Sequence, residues 1–185
     1  GTTVLAAAHT YTGSTTVNRG ALVINGSIKS PTTVNASGTL SGTGTILNDV
    51  VNAGAVAPGS DAANIGTLTI DGRFTSNGGT LAIDAKLGGD SSPADRLRIT
   101  GDTIMGSGPT RVVVTNVDGT GAETTGDGIR IVQVGGTSAP NLFVLDAPVT
   151  VGKSVYHLFQ GGIADPNDGN WYLRAAGPAH EPGGQ

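Results

Sequence analysis

The 185 residues carry 31 glycines, no cysteine and a formal net charge of −4, with 13% charged and 4% aromatic side chains. Low charge and steadily recurring Val, Ile and Leu exclude a disordered chain, scattered Lys and Arg exclude a phosphate-gripping face for nucleic acid, and no apolar run reaches the roughly 18–20 residues of a membrane span. The lack of cysteine leaves a cytosolic chain or one exported by a route that cross-links would obstruct, and with no signal peptide at its start the chain reads as a fragment of something longer.

In chain order, "TTVNRGALVING" (15–26) returns as "TTVNASGTLSG" (32–42) and "VVNAGAVAPG" (50–59). Its second half returns as "GTLTIDG" (66–72) and "GTLAIDA" (79–85). No window sustains the i, i+3, i+4, i+7 pattern of a helix. Alternation dominates instead. It sends Leu22 and Ile24 to one side, then Leu68 and Ile70, Leu81 and Ile83, and Leu97 and Ile99. These are short strands bounded by Gly, Asn and Asp. Val17, Val34 and Val51 are 17 residues apart, and Gly20, Gly38 and Gly54 recur at 18 and 16. A meander sandwich has no reason to repeat a phrase at such spacing, whereas a solenoid does. The expectation is a parallel β-helix of roughly eight to ten coils and about 40–45 Å, at ~4.8 Å per coil. Its narrow interior takes aliphatic side chains. Asn and Thr ladder at the corners, and glycine supplies positive φ at the turns.

The composition shifts near the C-terminus. Tyr11 and Phe74 are the only rings before residue 140, and Phe143, Tyr156, Phe159, Trp171 and Tyr172 follow closely. "DGIRIVQVGG" (127–136), "LFVLDAPVTVGKSVYHLF" (142–159) and "NWYLRA" (170–175) read as antiparallel hairpins, with "DPNDGN" (165–170) as a tight turn. A solenoid end needs a cover over its unpaired edges. The division expected is a stem of repeats over 1–99, last coils and a β-hairpin cap over 100–176, and a linker over 177–185. Ile129, Ile131, Phe143, Tyr156, Leu158, Phe159, Trp171, Tyr172 and Leu173 are the candidate folding nucleus.

These residues also carry a resemblance. "YTGSTTVNRGALVINGSI" (11–28) resembles the passenger-associated transport repeat of bacterial autotransporters. "ADRLRITG" (94–101), "GDGIRIVQV" (126–134) and "VYHLFQGGIADPNDGNWYLRA" (155–175) are similar to the autochaperone region that ends pertactin-like passengers. The resemblance implies a right-handed parallel β-helix outside a Gram-negative cell, at the surface or secreted. It implies a partner absent from this chain, the passenger's own C-terminal β-barrel translocator, and a terminal segment that promotes folding of the rest. His157 departs from the polar or basic residue expected there.

Chemical motifs are weak beside this. Asp84, Asp90 and Asp95 lie close in sequence, but a solvated loop is the simpler reading than paired catalytic carboxylates. "VGKS" (151–154) lacks the leading P-loop glycine, the position being Ala147. "DPNDGN" places Asn170 where a calcium loop needs glycine. His9, His157 and His180 are too far apart for metal-ligand spacing. The expectation is a non-enzymatic structural element with no cofactor, metal or small-molecule substrate. It would nucleate folding at the cell surface and present an N-terminal effector. The alternative is an adhesive module contacting host matrix, cells or glycans.

Overall fold

Glycine and β-branched residues disfavour helix, and in this computed structural model every regular element is a strand among the described residues, 1–60 and 64–176. The linker expected over 177–185, with His180, lies outside them. The N-terminal part is built of β1 (Thr2–Leu5), β2 (Thr15–Ile24), β3 (Ser27–Ile28), β4 (Thr32–Gly42), β5 (Thr45–Ile46), β6 (Val50–Asn52) and β7 (Ala55–Pro58). The middle holds β8 (Thr67–Ile70), β9 (Phe74–Asn77), β10 (Thr80–Ala85), β11 (Arg96–Ile99), β12 (Thr103–Gly108) and β13 (Thr110–Asn116). Then come β14 (Ile129–Val134), β15 (Phe143–Val144), β16 (Val149–Val151), β17 (Ser154–Gln160) and β18 (Trp171–Ala176).

The strands form two sheets, and the chain passes repeatedly from one to the other. In the second sheet β3, β5, β8, β11 and β14 pair in parallel, in that order. In the first, β2 and β4 are long and bent. The first half of β4 pairs with β6 and its second half with β7. The β2–β4 register shifts between Val17 and Arg19, next to Gly20 at φ 71°. The result is an all-β architecture of stacked parallel rungs, consistent with a β-helix.

The interior is made of ladders. Ile28, Ile46, Ile70, Ile99 and Val134 stand one above the next, all buried. Leu22, Leu40, Val56, Leu81 and Val112 form a second buried ladder. Each such side chain contributes about 1.5–3 kcal/mol when fully buried. The alternation expected at Leu22/Ile24, Leu68/Ile70, Leu81/Ile83 and Leu97/Ile99 is therefore present, with all eight residues buried.

Three expectations need correction. The isoleucine ladder has five members spaced by 18, 24, 29 and 35 residues, so the stack is shorter than eight to ten coils. Later coils grow because loops such as 117–128 leave the stack. Val51 is not the counterpart of Val34, because the register places Asn52 there. Asn52 is fully buried and satisfied by Gly54, whose N–H it meets at 3.1 Å and whose carbonyl it meets at 3.3 Å. The recurrent glycines are also not all there for positive φ. Gly38 and Gly54 have ordinary φ, but a Cβ on either would collide with backbone carbonyls of the rung beneath, Val17 and Asn35 respectively. Close stacking, rather than turning, excludes a side chain at this corner.

Candidate functional site

The parallel stack ends where β18 lies antiparallel on β14, pairing Ile129 with Leu173, Arg130 with Tyr172 and Val132 with Trp171. A register shift between Arg130 and Val132 turns both Ile131 and Val132 inward, each fully buried. Trp171 thereby continues the buried file Leu68, Leu97, Val132. β17 pairs antiparallel with β18, and β16 with β17 through a tight turn at Gly152, φ 61°.

Ring contacts join this end to the coils. Trp171 meets Phe143 edge-on at 5.3 Å, and Phe143 stacks on Phe74 at 6.0 Å. Such pairs add about 0.5–1.5 kcal/mol beyond burial. The Trp171 indole N–H donates to the Ser138 hydroxyl at 3.2 Å. The Val134 N–H, at the end of the isoleucine ladder, donates to the buried Asn170 side chain at 2.9 Å.

Tyr156 is fully buried in the same core. Its hydroxyl donates to the Gly88 carbonyl at 2.7 Å and accepts from the Ala122 N–H at 3.2 Å, so one side chain binds two loops. Tyr172 donates to the Asp168 carboxylate at 2.7 Å. Burial first, then Asp168, push its phenol above the ordinary value against the opposing Asn170 bond. The Arg174 guanidinium lies 4.9 Å over the Phe159 ring and 5.5 Å over Tyr172. It also donates to the Asp127 carbonyl at 2.7 Å and to the Gly161 carbonyl at 2.5 Å.

Of the nine nucleus candidates, Ile129, Ile131, Phe143, Tyr156, Trp171, Tyr172 and Leu173 are buried. Leu158 and Phe159 are partly exposed. The fold brings Phe143 and Trp171 together. It sets Tyr156 against the 88 and 122 loops instead, and places Phe159 beneath Arg174. Sequence reasoning missed Phe74, Asn170, Asp168 and Arg174. Phe74 had a signal, since it follows Val50 one coil later in the same interior file. His157 lines a cleft of about 490 Å³ with Phe143, Leu158 and Trp171, and its Nε2 is buried without a partner.

The Asp90 and Asp95 carboxylates bind backbone. The Asp90 carboxylate accepts the N–H groups of Thr125 at 2.6 Å, Gly126 at 2.9 Å and Gly128 at 2.8 Å. Burial alone raises its pKa, but these bonds and that from the Thr125 hydroxyl outweigh it and leave the group below its ordinary value. Asp95 is 1% exposed and accepts from the Gly66 N–H at 2.9 Å and the Asp84 N–H at 2.8 Å. Burial is the main cause that pushes its carboxyl up to about 6, those two bonds oppose it, and the nearby Asp84 charge adds to the rise. "DPNDGN" is a turn held by its own aspartates, Asp165 accepting from Asn167 and Asp168 from Asn170.

Residues 45–158 match the family Autochaperone Domain Type 1. The chain belongs to that family. This autochaperone domain is 39% identical over 176 residues to the Adhesin BmaC autotransporter of Brucella suis biovar 1 (strain 1330), covering 91% of the chain and 5% of that protein. It is 34% identical over 115 residues to the Autotransporter adhesin AIDA-I of Escherichia coli, covering 62% of the chain and 9% of that protein. It is 44% identical over 71 residues to the Extracellular serine protease of Serratia marcescens, covering 38% of the chain and 6% of that protein. The domain therefore spans a small part of these relatives. Autotransporter passengers such as these are exported across the outer membrane, to the cell surface or beyond it.

Proposed function

We propose that this autochaperone domain is the C-terminal stem of a passenger and the nucleus on which the passenger folds at the cell surface. In this reading the stack is a right-handed β-helix, 1–99 its stem and 100–176 its last coils and hairpin cap. It presents an N-terminal effector or adhesin region, and its partner in export is the passenger's own C-terminal β-barrel. The domain itself is not an enzyme. The observation that carries the proposal is the ring chain Phe74–Phe143–Trp171, which ties the antiparallel end to the parallel coils. A first coil costs loop-closure entropy with no template beneath it. A ring-filled end that forms first offsets that cost, and coils then add one by one.

Truncation tests this. Residues 1–126 should refold slowly and incompletely, whereas the full chain refolds cooperatively. Residues 1–100 giving a cooperative β-rich melt with an unchanged midpoint would remove the nucleation role. An adhesive role is the second reading, favoured by the adhesin names of two relatives. Binding of the soluble domain to host cells or matrix, above that of an unrelated β-helix, is its measure.

A further inference from the structure

The positive charges that look scattered in sequence are gathered by the register. In β11, Arg96 and Arg98 alternate with buried Leu97 and Ile99, so both point outward from the second sheet. In neighbouring β14, Arg130 points outward beside them, and the Arg96 Nε reaches the Arg130 carbonyl at 3.4 Å. Adjacent strands are ~4.8 Å apart and alternate residues along a strand ~6.7 Å apart. In the β14 register Arg98 lies opposite Gln133, so the three guanidinium groups share a strip one strand wide and about three residues long, roughly 10 Å.

Among the described residues none of the three forms an ion pair with a carboxylate. The described ion pairs are Arg73–Asp49 and Arg111–Asp146, both elsewhere. Arg98 is exposed with no bonded partner among the described residues. The Arg130 Nε is buried and unpartnered. Burial and then the Arg130 charge both lower the Arg96 pKa. Asp71 accepts from the Thr100 hydroxyl and Asp168 from the Tyr172 hydroxyl, each at 2.7 Å, and neither forms an ion pair with the three arginines. Arg174 is committed to the Asp127 and Gly161 carbonyls and to the Phe159 and Tyr172 rings, and is not part of the patch. On the next rung Thr67 pairs with Arg96 and Thr69 with Arg98, and both threonines face outward. Thr45 continues that row.

We propose that the outer face of β8, β11 and β14 binds an anionic polysaccharide through Arg96, Arg98 and Arg130, with Thr67 and Thr69 meeting its hydroxyl groups. The charge is complementary, since like-charged guanidinium groups held this close gain most from a polyanion that bridges them. The chain is acidic overall, at −4, so the attraction is local to this face. A polysaccharide fits better than a nucleic acid because the patch offers hydroxyl groups and no exposed ring on which bases could stack. An exported domain also meets glycans at the cell surface.

The test uses the full 185-residue chain and size-defined heparin oligosaccharides as the sulfated probe. Binding is followed by calorimetry at low and near-physiological salt, with uncharged dextran, a single-stranded oligonucleotide and anionic phospholipid vesicles as comparison probes. The expected result is heparin binding that weakens roughly tenfold over that salt range, with no binding to dextran. R98Q, which removes an exposed unpartnered group, should weaken binding several-fold with an unchanged melting curve. R96Q/R98Q/R130Q should abolish it, and R73Q/R111Q should leave it intact. Absent heparin binding, or undiminished binding by R98Q and the triple variant, would overturn the proposal. Tighter binding to the oligonucleotide or the vesicles would overturn the choice of partner.

Discussion

Between Thr15 and Ala85 interior side chains meet their counterparts one coil away, Leu22 on Leu40 on Val56 on Leu81. Between Gly126 and Ala176 the closing contacts reach much further back in sequence. Trp171 bonds to Ser138 across 33 residues, and Tyr156 to Gly88 across 68. The first arrangement is additive, since each rung contacts only its neighbours. The second is closed, since rings and buried polar side chains bind loops from several coils into one unit. On the proposed reading the difference marks where folding starts: a rung of the parallel stack continues the fold, and the closed end begins it.

The sharpest way to break this comparison is to delete one large side chain from each region. Trp171→Ala should cost about 3–5 kcal/mol and Leu40→Ala about 2–5 kcal/mol, overlapping ranges although Trp171 loses the larger side chain. Their kinetics should differ. W171A should slow refolding, while L40A should mainly accelerate unfolding. Denaturant chevrons separate the two. Equal slowing of refolding by L40A would mean that the stem forms as early as the C-terminal end.

The legibility of the two regions differs in the same way. The first coils could be read because equivalent residues recur there at nearly constant spacing, as Gly20 on Gly38 and Leu22 on Leu40 show. Burial of seven of the nine nucleus candidates was foreshadowed by the rise in aromatic content. What could not be read was anything set by a loop of variable length. Asp90 finds its backbone partners 35 to 38 residues away, and no local pattern announces them. Arg96 and Arg130 become neighbours only because a 35-residue coil returns to the same sheet. The slip from Val51 to Asn52 has the same origin, one extra residue in one coil.

Acidity sharpens the comparison further, because the two structural aspartates respond in opposite directions. Asp95 has a folded pKa of about 6 against 3.8 in the unfolded chain. The folded state therefore holds this proton more tightly. The resulting stability is complete below about pH 4 and is lost as pH rises through 6, up to about 3 kcal/mol. Asp90 is lowered, so its contribution is present above pH 3.8 and is lost only as pH falls through its folded value. Urea midpoints measured from acid to neutral pH should fall between pH 4 and 6. D95N should flatten that window. A wild-type profile already flat there would remove Asp95 as its cause.

A smaller effect is expected from crowding at the glycine corner. Gly54→Ala places a Cβ against the carbonyls of Asn35 and Gly38, backbone groups that cannot swing aside. We expect a loss of about 1–3 kcal/mol, the usual range for overpacking. Gly78→Ala, where a Cβ would meet nothing, tests whether φ alone matters, since Gly78 sits at φ 84°. A loss at Gly78 with none at Gly54, whose φ is ordinary, would show that backbone conformation, rather than stacking, dictates glycine in the repeat.

The least effect belongs to the polar ladder that the sequence advertises most. Asn35 donates to the Asn18 side chain at 2.6 Å on an exposed corner. The next rung has Ala53, bonded there only through its backbone N–H to Val34, so the ladder stops after two members. An exposed pair exchanges one partner for water and gains little, on the order of 0.5 kcal/mol. For a chain of this size that is a shift of roughly 1–2 °C in melting temperature. Asn35→Ala should stay within that shift, because the register is held by interior ladders such as Leu22–Leu40, which the substitution leaves untouched. A drop of several degrees would instead mean that the corner amides set the stacking register, and the division between a templated stem and a self-closing C-terminal end would have to be drawn from the outer surface inward.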